Sequence, residues 1–188
     1  MAISSRVLHS TQANPPASRR IPRSRDFLCH DLLRKQTNYF QDPSRCKVAI
    51  EALKRTSQEA QFSVHAYCLM PDHVHFLLEG TGPGSNLVKF VSQWKQQTGY
   101  LFRNDLPKGF WQRRFYDHIL RSGDHSESVG WYIWMNPVRK EIVLEPHRYP
   151  FSGSLTLDWP KVSAPAKVWS PPWKSSVRPL GNGVHRPL

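Results

Sequence analysis

Apolar residues recur along this chain with two different periods, and the switches between them predict its elements. Cys46, Ala49, Ile50 and Leu53 stand at helical spacing, so residues 43–59 predict an amphipathic helix. Asp42 offers an N-cap and Pro43 suits the first helical position. Phe62, Val64, Ala66, Cys68 and Met70 then alternate with Ser63, His65, Tyr67 and Leu69, the period of a strand. Met70-Pro71-Asp72 reads as a turn, since Pro fixes φ and Asp can bond its own backbone. The apolar run Val74 to Leu78 follows as the second arm of an antiparallel hairpin. Beyond the loop Gly80–Gly84, Leu87, Phe90, Val91, Trp94, Thr98 and Leu101 mark one face of a second helix. Lys89, Lys95, Gln96 and Gln97 form its solvated side.

After the loop Asn104–Gly109, the stretch Phe110 to Leu120 alternates as a strand. Asp124-His-Ser-Glu127 resembles a capping box opening a third helix. That helix carries Val129, Trp131, Tyr132, Ile133, Trp134, Met135 and Asn136 ahead of Pro137. Upstream, Asp26–Leu33 is expected as a strand, although Asp26, His30 and Asp31 interrupt its alternation. Strands and helices in this order predict an α+β fold, an antiparallel sheet with helices packed on one face.

Charge adds the domain limits. The formal net charge is +12, which calls for a polyanionic partner. Residues 1–25 and 159–188 each carry five Lys or Arg and no acidic residue, so the tails hold most of the excess. The expected organisation is a basic disordered tail over 1–25, one domain over 26–158 and a basic Pro-rich tail over 159–188. Three cysteines without paired spacing argue against a disulfide framework and for a reducing, cytoplasmic setting. No apolar run has the length of a membrane span.

The candidate chemistry gathers in two places. A strand turns alternate side chains to one face, so His73 and His75 share a face while Val74, Phe76 and Leu78 take the other. Two imidazoles on a rigid strand form a pair of metal ligands. Some sixty residues on, Tyr132 and Asn136 lie one helical turn apart on one helix face. A phenol is a weak nucleophile at neutral pH, with a pKa near ~10, so it needs a cation to stabilise charge developing on phosphate oxygens. The Asn136 amide oxygen is a hard ligand suited to join two imidazoles. Together these residues would make a compact phosphoryl-transfer site. Arg113 and Arg114 could hold DNA phosphates, and Trp131 and Trp134 read as packing residues.

Three stretches carry a family resemblance: Met70-Pro-Asp-His-Val-His-Phe-Leu-Leu, Phe110-Trp-Gln-Arg-Arg-Phe-Tyr-Asp-His-Ile-Leu-Arg and Tyr132-Ile-Trp-Met-Asn-Pro-Val-Arg. In this order, and with Tyr149-Pro150-Phe151-Ser152, the chain from roughly Thr37 to Ser154 resembles the IS200-like single-tyrosine transposases, nearest their REP-associated branch. The resemblance implies a His-hydrophobe-His nuclease on a ferredoxin-like sheet that cuts single-stranded DNA beside a folded-back, REP-like hairpin. It implies His73, His75 and Asn136 as ligands of Mg²⁺ or Mn²⁺, and Tyr132 as the nucleophile that forms a 5′-phosphotyrosine. It is compatible with action as a monomer or a homodimer.

Two other function classes compete. A single-stranded nucleic-acid binding module would need exposed aromatics on sheet strands and would be indifferent to Tyr132; a catalytically silent descendant of the transposase would behave this way. A phosphoesterase using activated water would need a carboxylate-rich ligand set, for which Asp72 and Glu79 are thin support.

Overall fold

The structure, a computed structural model, describes residues 26–32 (backbone only), 38–113, 115–120 and 124–171. Both chain ends (1–25 and 172–188), Leu33 and Arg114 lie outside the described residues. Five strands form one antiparallel sheet: β1 (Asp26–Leu32), β2 (Phe62–Met70), β3 (His73–Gly80), β4 (Tyr116–Ile119) and β5 (Ser152–Gly153), in the spatial order β4-β1-β3-β2-β5. The helices are α1 (Pro43–Glu59), α2 (Leu87–Leu101), α3 (Ser126–Trp134) and the single turn α4 (Asn136–Arg139). The α+β class expected from the residue pattern is the class observed, and the interrupted alternation of Asp26–Leu33 still yields a strand. Its place between β3 and β4 supplies the pairing that its own pattern does not specify.

The termini of α1 and α2 follow local chemistry. Asp42 accepts from the Ser44 N–H at 2.8 Å and Pro43 opens α1. Asn86 caps α2 through Lys89 N–H at 2.9 Å. The apolar faces of both helices cover one side of the sheet, burying Ile50, Leu53, Phe90 and Trp94 against Val64, Leu69, Val74, Phe76 and Leu78. Phe76 meets the Trp94 ring edge-on at 4.9 Å, and Trp94 Nε1 donates to Ala49 O at 3.0 Å, so no polar atom of that indole is stranded in the core.

The expectation of helices on one face holds for α1 and α2 but not for α3. Helix α3 packs on the opposite face, where Val129, Trp131, Ile133 and Trp134 meet Ala66, Cys68, Met70 and Leu77. A bulge makes this possible. The β2–β3 register shifts between Val64 and Ala66. Phe62 and Val64 therefore face α1 and α2, while Ala66, Cys68 and Met70 face α3. A single inserted residue exchanges the two faces of a strand. The unbroken alternation read from Phe62 to Met70 is in fact two half-strands of opposite sense, joined at His65, whose ring is held by Glu79 Oε2 at 2.9 Å and Thr156 Oγ1 at 3.0 Å.

Three boundaries also move. The strand expected over Phe110–Leu120 is confined to Tyr116–Ile119, because Phe110 and Trp111 are drawn into the core and Trp111 Nε1 bonds Thr98 Oγ1 at 2.9 Å. The capping box at Asp124 does not form. His125 is the N-cap of α3 and caps through no side chain, which puts Asp124 one residue too early, and its Oδ1 accepts from Trp169 Nε1 at 2.9 Å instead. Residues 159–171, assigned by composition to a tail, lie against the domain: Trp159 is buried and stacks on Trp134 with ring centroids 3.9 Å apart. Proline denies this segment a period without denying it anchors.

Candidate active site

Strand β3 delivers the two histidines as its period requires. Their rings meet edge-to-face with centroids 4.9 Å apart, on the side of Leu77 and therefore the side that α3 covers. His75 is buried. Asp72, in the turn before the strand, holds His73 Nδ1 at 2.5 Å. A carboxylate on one ring nitrogen leaves the other to face a metal, the usual support for a histidine ligand. Burial pushes the His73 pKa down, with Asp72 acting against it and Lys140 with it. The net direction favours the neutral, ligating imidazole.

The second half of the site is built by a proline. Pro137 has no N–H to give to Ile133 O four residues back, and the helix breaks into α3 and α4 at Met135. Asn136 takes up that carbonyl: its Nδ2 donates to Ile133 O at 2.8 Å. With the amide nitrogen committed to the backbone, Oδ1 points the other way and accepts from Arg139 Nη2 at 2.8 Å. The same Nη2 donates to Tyr132 O at 2.8 Å, and the guanidinium carbon sits 4.2 Å from the centroid of the Tyr132 ring. Arg139 thus clamps Tyr132 and Asn136 together. Burial lowers the pKa of Arg139, and the Tyr132 phenol opposes that shift, as a negative charge on the phenol oxygen would.

Electrostatic coupling ties the two halves to each other. Lys140, at the end of α4, is felt by His73. Burial pushes the Cys68 thiol up to about 12, with Ser152 and Arg139 acting in the opposite sense, and Cys68 is the register partner of His75. The end of the α3–α4 unit therefore lies over the histidine end of β3. Among the described residues no three His, Cys, Asp or Glu side chains form a metal-binding group. Asn136 has an oriented amide oxygen, and two imidazoles plus an amide oxygen suit a divalent cation.

Other residues singled out in the sequence resolve differently. Tyr149 is buried and donates its hydroxyl to Leu69 O at 2.7 Å; burial raises its pKa, so it is a structural phenol. Tyr116 is 48% exposed on β4. His118 Nε2 lies 3.8 Å from Asp124 Oδ2. Trp131 and Trp134 are packing residues of the α3 core, as read from the sequence. Arg113 is not gathered with the histidines and Tyr132; it lines a groove beside α2, in the other layer.

Sequence reasoning missed two contacts on the tyrosine. Trp169 meets its ring edge-on at 5.2 Å, and Arg139 covers it by the clamp described above. The signal for Arg139 was present, since residue 139 falls one turn beyond Asn136 and two beyond Tyr132; that for Trp169 was hidden by its Pro-rich surroundings.

Comparison with known proteins gives the family of the chain. The family described as "Transposase IS200 like" matches residues 32–136, more than half of the chain. An Escherichia coli REP-associated tyrosine transposase is 28% identical over 120 residues, covering 57% of this chain and 68% of that protein. A Haemophilus influenzae protein assigned to the same type is 29% identical over 117 residues, 54% of this chain. The chain spans 64% of the length of that Haemophilus relative. A solved structure of a REP-associated tyrosine transposase bound to a REP hairpin aligns with a TM-score of 0.59 at 20% identity, covering 69% of this chain and 75% of that one; at that identity the likeness is one of fold. No helix among the described residues is long and apolar enough to cross a membrane. On the extent of the family match, this chain belongs to the IS200-like transposases.

Proposed function

We propose that this protein cleaves and rejoins single-stranded DNA beside a hairpin by metal-dependent transesterification, with Tyr132 as nucleophile. The observation that carries the reading is the α3–α4 unit, which holds Tyr132 and Asn136 in one clamp over the sheet face bearing His73 and His75. The Tyr132 phenol oxygen attacks the scissile phosphorus and loses its proton. The bond from phosphorus to the 3′ oxygen breaks, and that oxygen leaves as a 3′-hydroxyl once protonated. The 5′ phosphate remains on Tyr132 as a phosphodiester-equivalent link, so a second 3′-hydroxyl can displace the tyrosine and seal a strand without nucleotide hydrolysis. A divalent cation held by His73, His75 and Asn136 would draw off negative charge from the phosphate oxygens. The Arg139 guanidinium, stacked on the attacking ring, keeps that ring aimed. Support for a hairpin substrate comes from the REP association of the relatives and from the REP hairpin bound to the structural neighbour.

The test is a cleavage assay on labelled single-stranded hairpin DNA with Mn²⁺ or Mg²⁺. A covalent adduct that requires metal and vanishes in Tyr132→Phe is expected. Binding without an adduct in the wild-type protein would replace this reading with that of a catalytically silent DNA-binding descendant.

A further inference from the structure

One groove lies outside the site just described. It has a volume of about 450 Å³ and runs between α2 and the loop 106–113. Lys95, Arg103, Lys108 and Arg113 line it, and no acidic side chain does. Lys95 Nζ donates to Gln112 O at 2.7 Å and fixes the loop against the helix. Arg103 is pre-ordered by its stack on the exposed Tyr100 ring, 4.1 Å from the centroid, and by a bond from Nη1 to Tyr100 O at 2.8 Å. Among the described residues neither Arg103, Lys108 nor Arg113 is engaged in an ion pair, although exposed Asp105 shares the turn.

A second observation is independent of charge. Gly99 stands in the interior of α2 and lines this groove. A Cβ built there would meet nothing within 4 Å. Glycine in a helix interior weakens the helix relative to alanine, and no packing contact of this fold requires it. What the missing side chain does provide is depth in the groove.

We propose that this groove holds the sugar–phosphate backbone of a single-stranded DNA segment flanking the hairpin, an inference that rests on the DNA-processing reading above. Four cations along a concave wall match the positively charged groove by which proteins track the backbone of a single strand. The helix from Ser92 to Gly99 runs about 10 Å, long enough to lie beside a short stretch of one strand's backbone. The groove also leads toward the reaction. Its lining ends at Arg113, three residues before the edge strand β4. On β4, His118 lies 6.3 Å from the Trp169 ring, which itself contacts Tyr132. A strand leaving the groove would pass around the β4 edge of the sheet to reach the face that α3 covers.

The test compares binding of a fluorescein-labelled oligothymidylate with binding of a blunt hairpin lacking single-stranded flanks, for wild type, Lys108→Glu/Arg113→Glu and Gly99→Leu. The charge-reversed pair is expected to lose at least ~10-fold in oligothymidylate affinity, and its salt dependence should flatten by about 0.7 for each phosphate no longer neutralised. Gly99→Leu alters no charge and has room at its Cβ, so it reports filling of the groove alone; it too should weaken oligothymidylate binding. Blunt-hairpin affinity should stay within about twofold in Gly99→Leu. Oligothymidylate binding by Gly99→Leu at wild-type strength would overturn the proposal, as would equal weakening on the blunt hairpin, which would move the interaction to the stem. Adduct formation at Tyr132, measured in the same preparations, separates the two readings. No wild-type adduct with the groove effects intact sinks the transesterase and leaves the groove. A normal adduct with no groove effect does the reverse.

Discussion

Replacing Arg139 by alanine tests the clamp on which the active-site geometry depends. The change removes one cation–π contact, at a ring distance of 4.2 Å, and two charge-assisted hydrogen bonds of 2.8 Å each, to Tyr132 O and to Asn136 Oδ1. An exposed cation–π pair contributes about 0.5–1 kcal/mol. The hydrogen bonds would each be worth about 1.5 kcal/mol if buried, and about 0.5 kcal/mol after discounting for the exposure of Arg139. The sum is about 2 kcal/mol, which for a chain of this size lowers the melting temperature by roughly 4–8 °C. Arg139→Lys keeps the charge over the ring but loses the planar fork, so it should lie about midway. The same interactions hold the proposed nucleophile, so adduct formation should fall by more than ~10-fold in Arg139→Ala, the equivalent of about 1.4 kcal/mol of forfeited alignment. Calorimetry and single-turnover cleavage on hairpin DNA read the two effects separately. If Arg139→Ala melts and cleaves as the wild type does, the clamp is ornamental and the proposed role of α4 is wrong.

Further outcomes follow from particular side chains. A Cβ on Gly153 would lie 2.5 Å from Tyr67 Oη and 2.7 Å from its Cζ, so Gly153→Ala should cost about 1–3 kcal/mol in urea denaturation, partly recovered with Tyr67→Phe. Gly99→Ala, by contrast, should gain about 1 kcal/mol in the same assay through helix propensity. Burial pushes the Cys46 and Cys68 thiols up to about 12 from an ordinary value of 9.0. The unfolded chain therefore ionises first: this stability is complete below about pH 9 and is lost as pH climbs toward 12, by about 1.4 kcal/mol per pH unit for each thiol. Both thiols should also resist iodoacetamide in the native protein at about pH 8, below their folded-state ionisation, which peptide mass spectrometry would show. Removing the Trp169 ring from Tyr132 by Trp169→Ala should raise the rate of Tyr132 nitration by tetranitromethane; an unchanged rate would mean that the indole does not shield the phenol.

Much of the fold was legible because the residue pattern and the local chemistry agree. Asp42-Pro43 opens a helix where the apolar period begins, and β3 turns its histidines and its apolar residues to opposite sides as alternation requires. What was illegible shares one cause: it depends on partners distant in sequence. The bulge at His65 leaves the alternation of β2 intact on paper, because the two half-strands are each regular and both faces end up buried. Only the second core, built by α3, reveals that Ala66, Cys68 and Met70 look the other way. In the same manner, Trp111 reads as a strand residue until Thr98 claims its indole nitrogen, and Trp159 and Trp169 read as tail until their rings find Trp134 and Tyr132.

The site itself was legible in its residues but not in its logic. Asn136 drew attention as a metal ligand, yet the structure gives it an immediate structural task, since Pro137 leaves Ile133 O without a donor and Asn136 Nδ2 supplies one. These roles do not compete. An amide has two ends, and tying the nitrogen to the backbone decides where the oxygen points. An aspartate at the same position would offer a stronger ligand, but it could not donate to Ile133 O, and the carbonyl that Pro137 leaves open would lose its donor. A serine would neither reach nor accept in the same place. The Tyr-x3-Asn-Pro-x-Arg pattern is thus a small machine of backbone chemistry: the proline breaks the helix, the asparagine mends the break, and the arginine binds the mended turn to the tyrosine ring. The proposed nucleophile, held in this way, is positioned before DNA arrives, so little ordering remains to be done when the phosphate is presented.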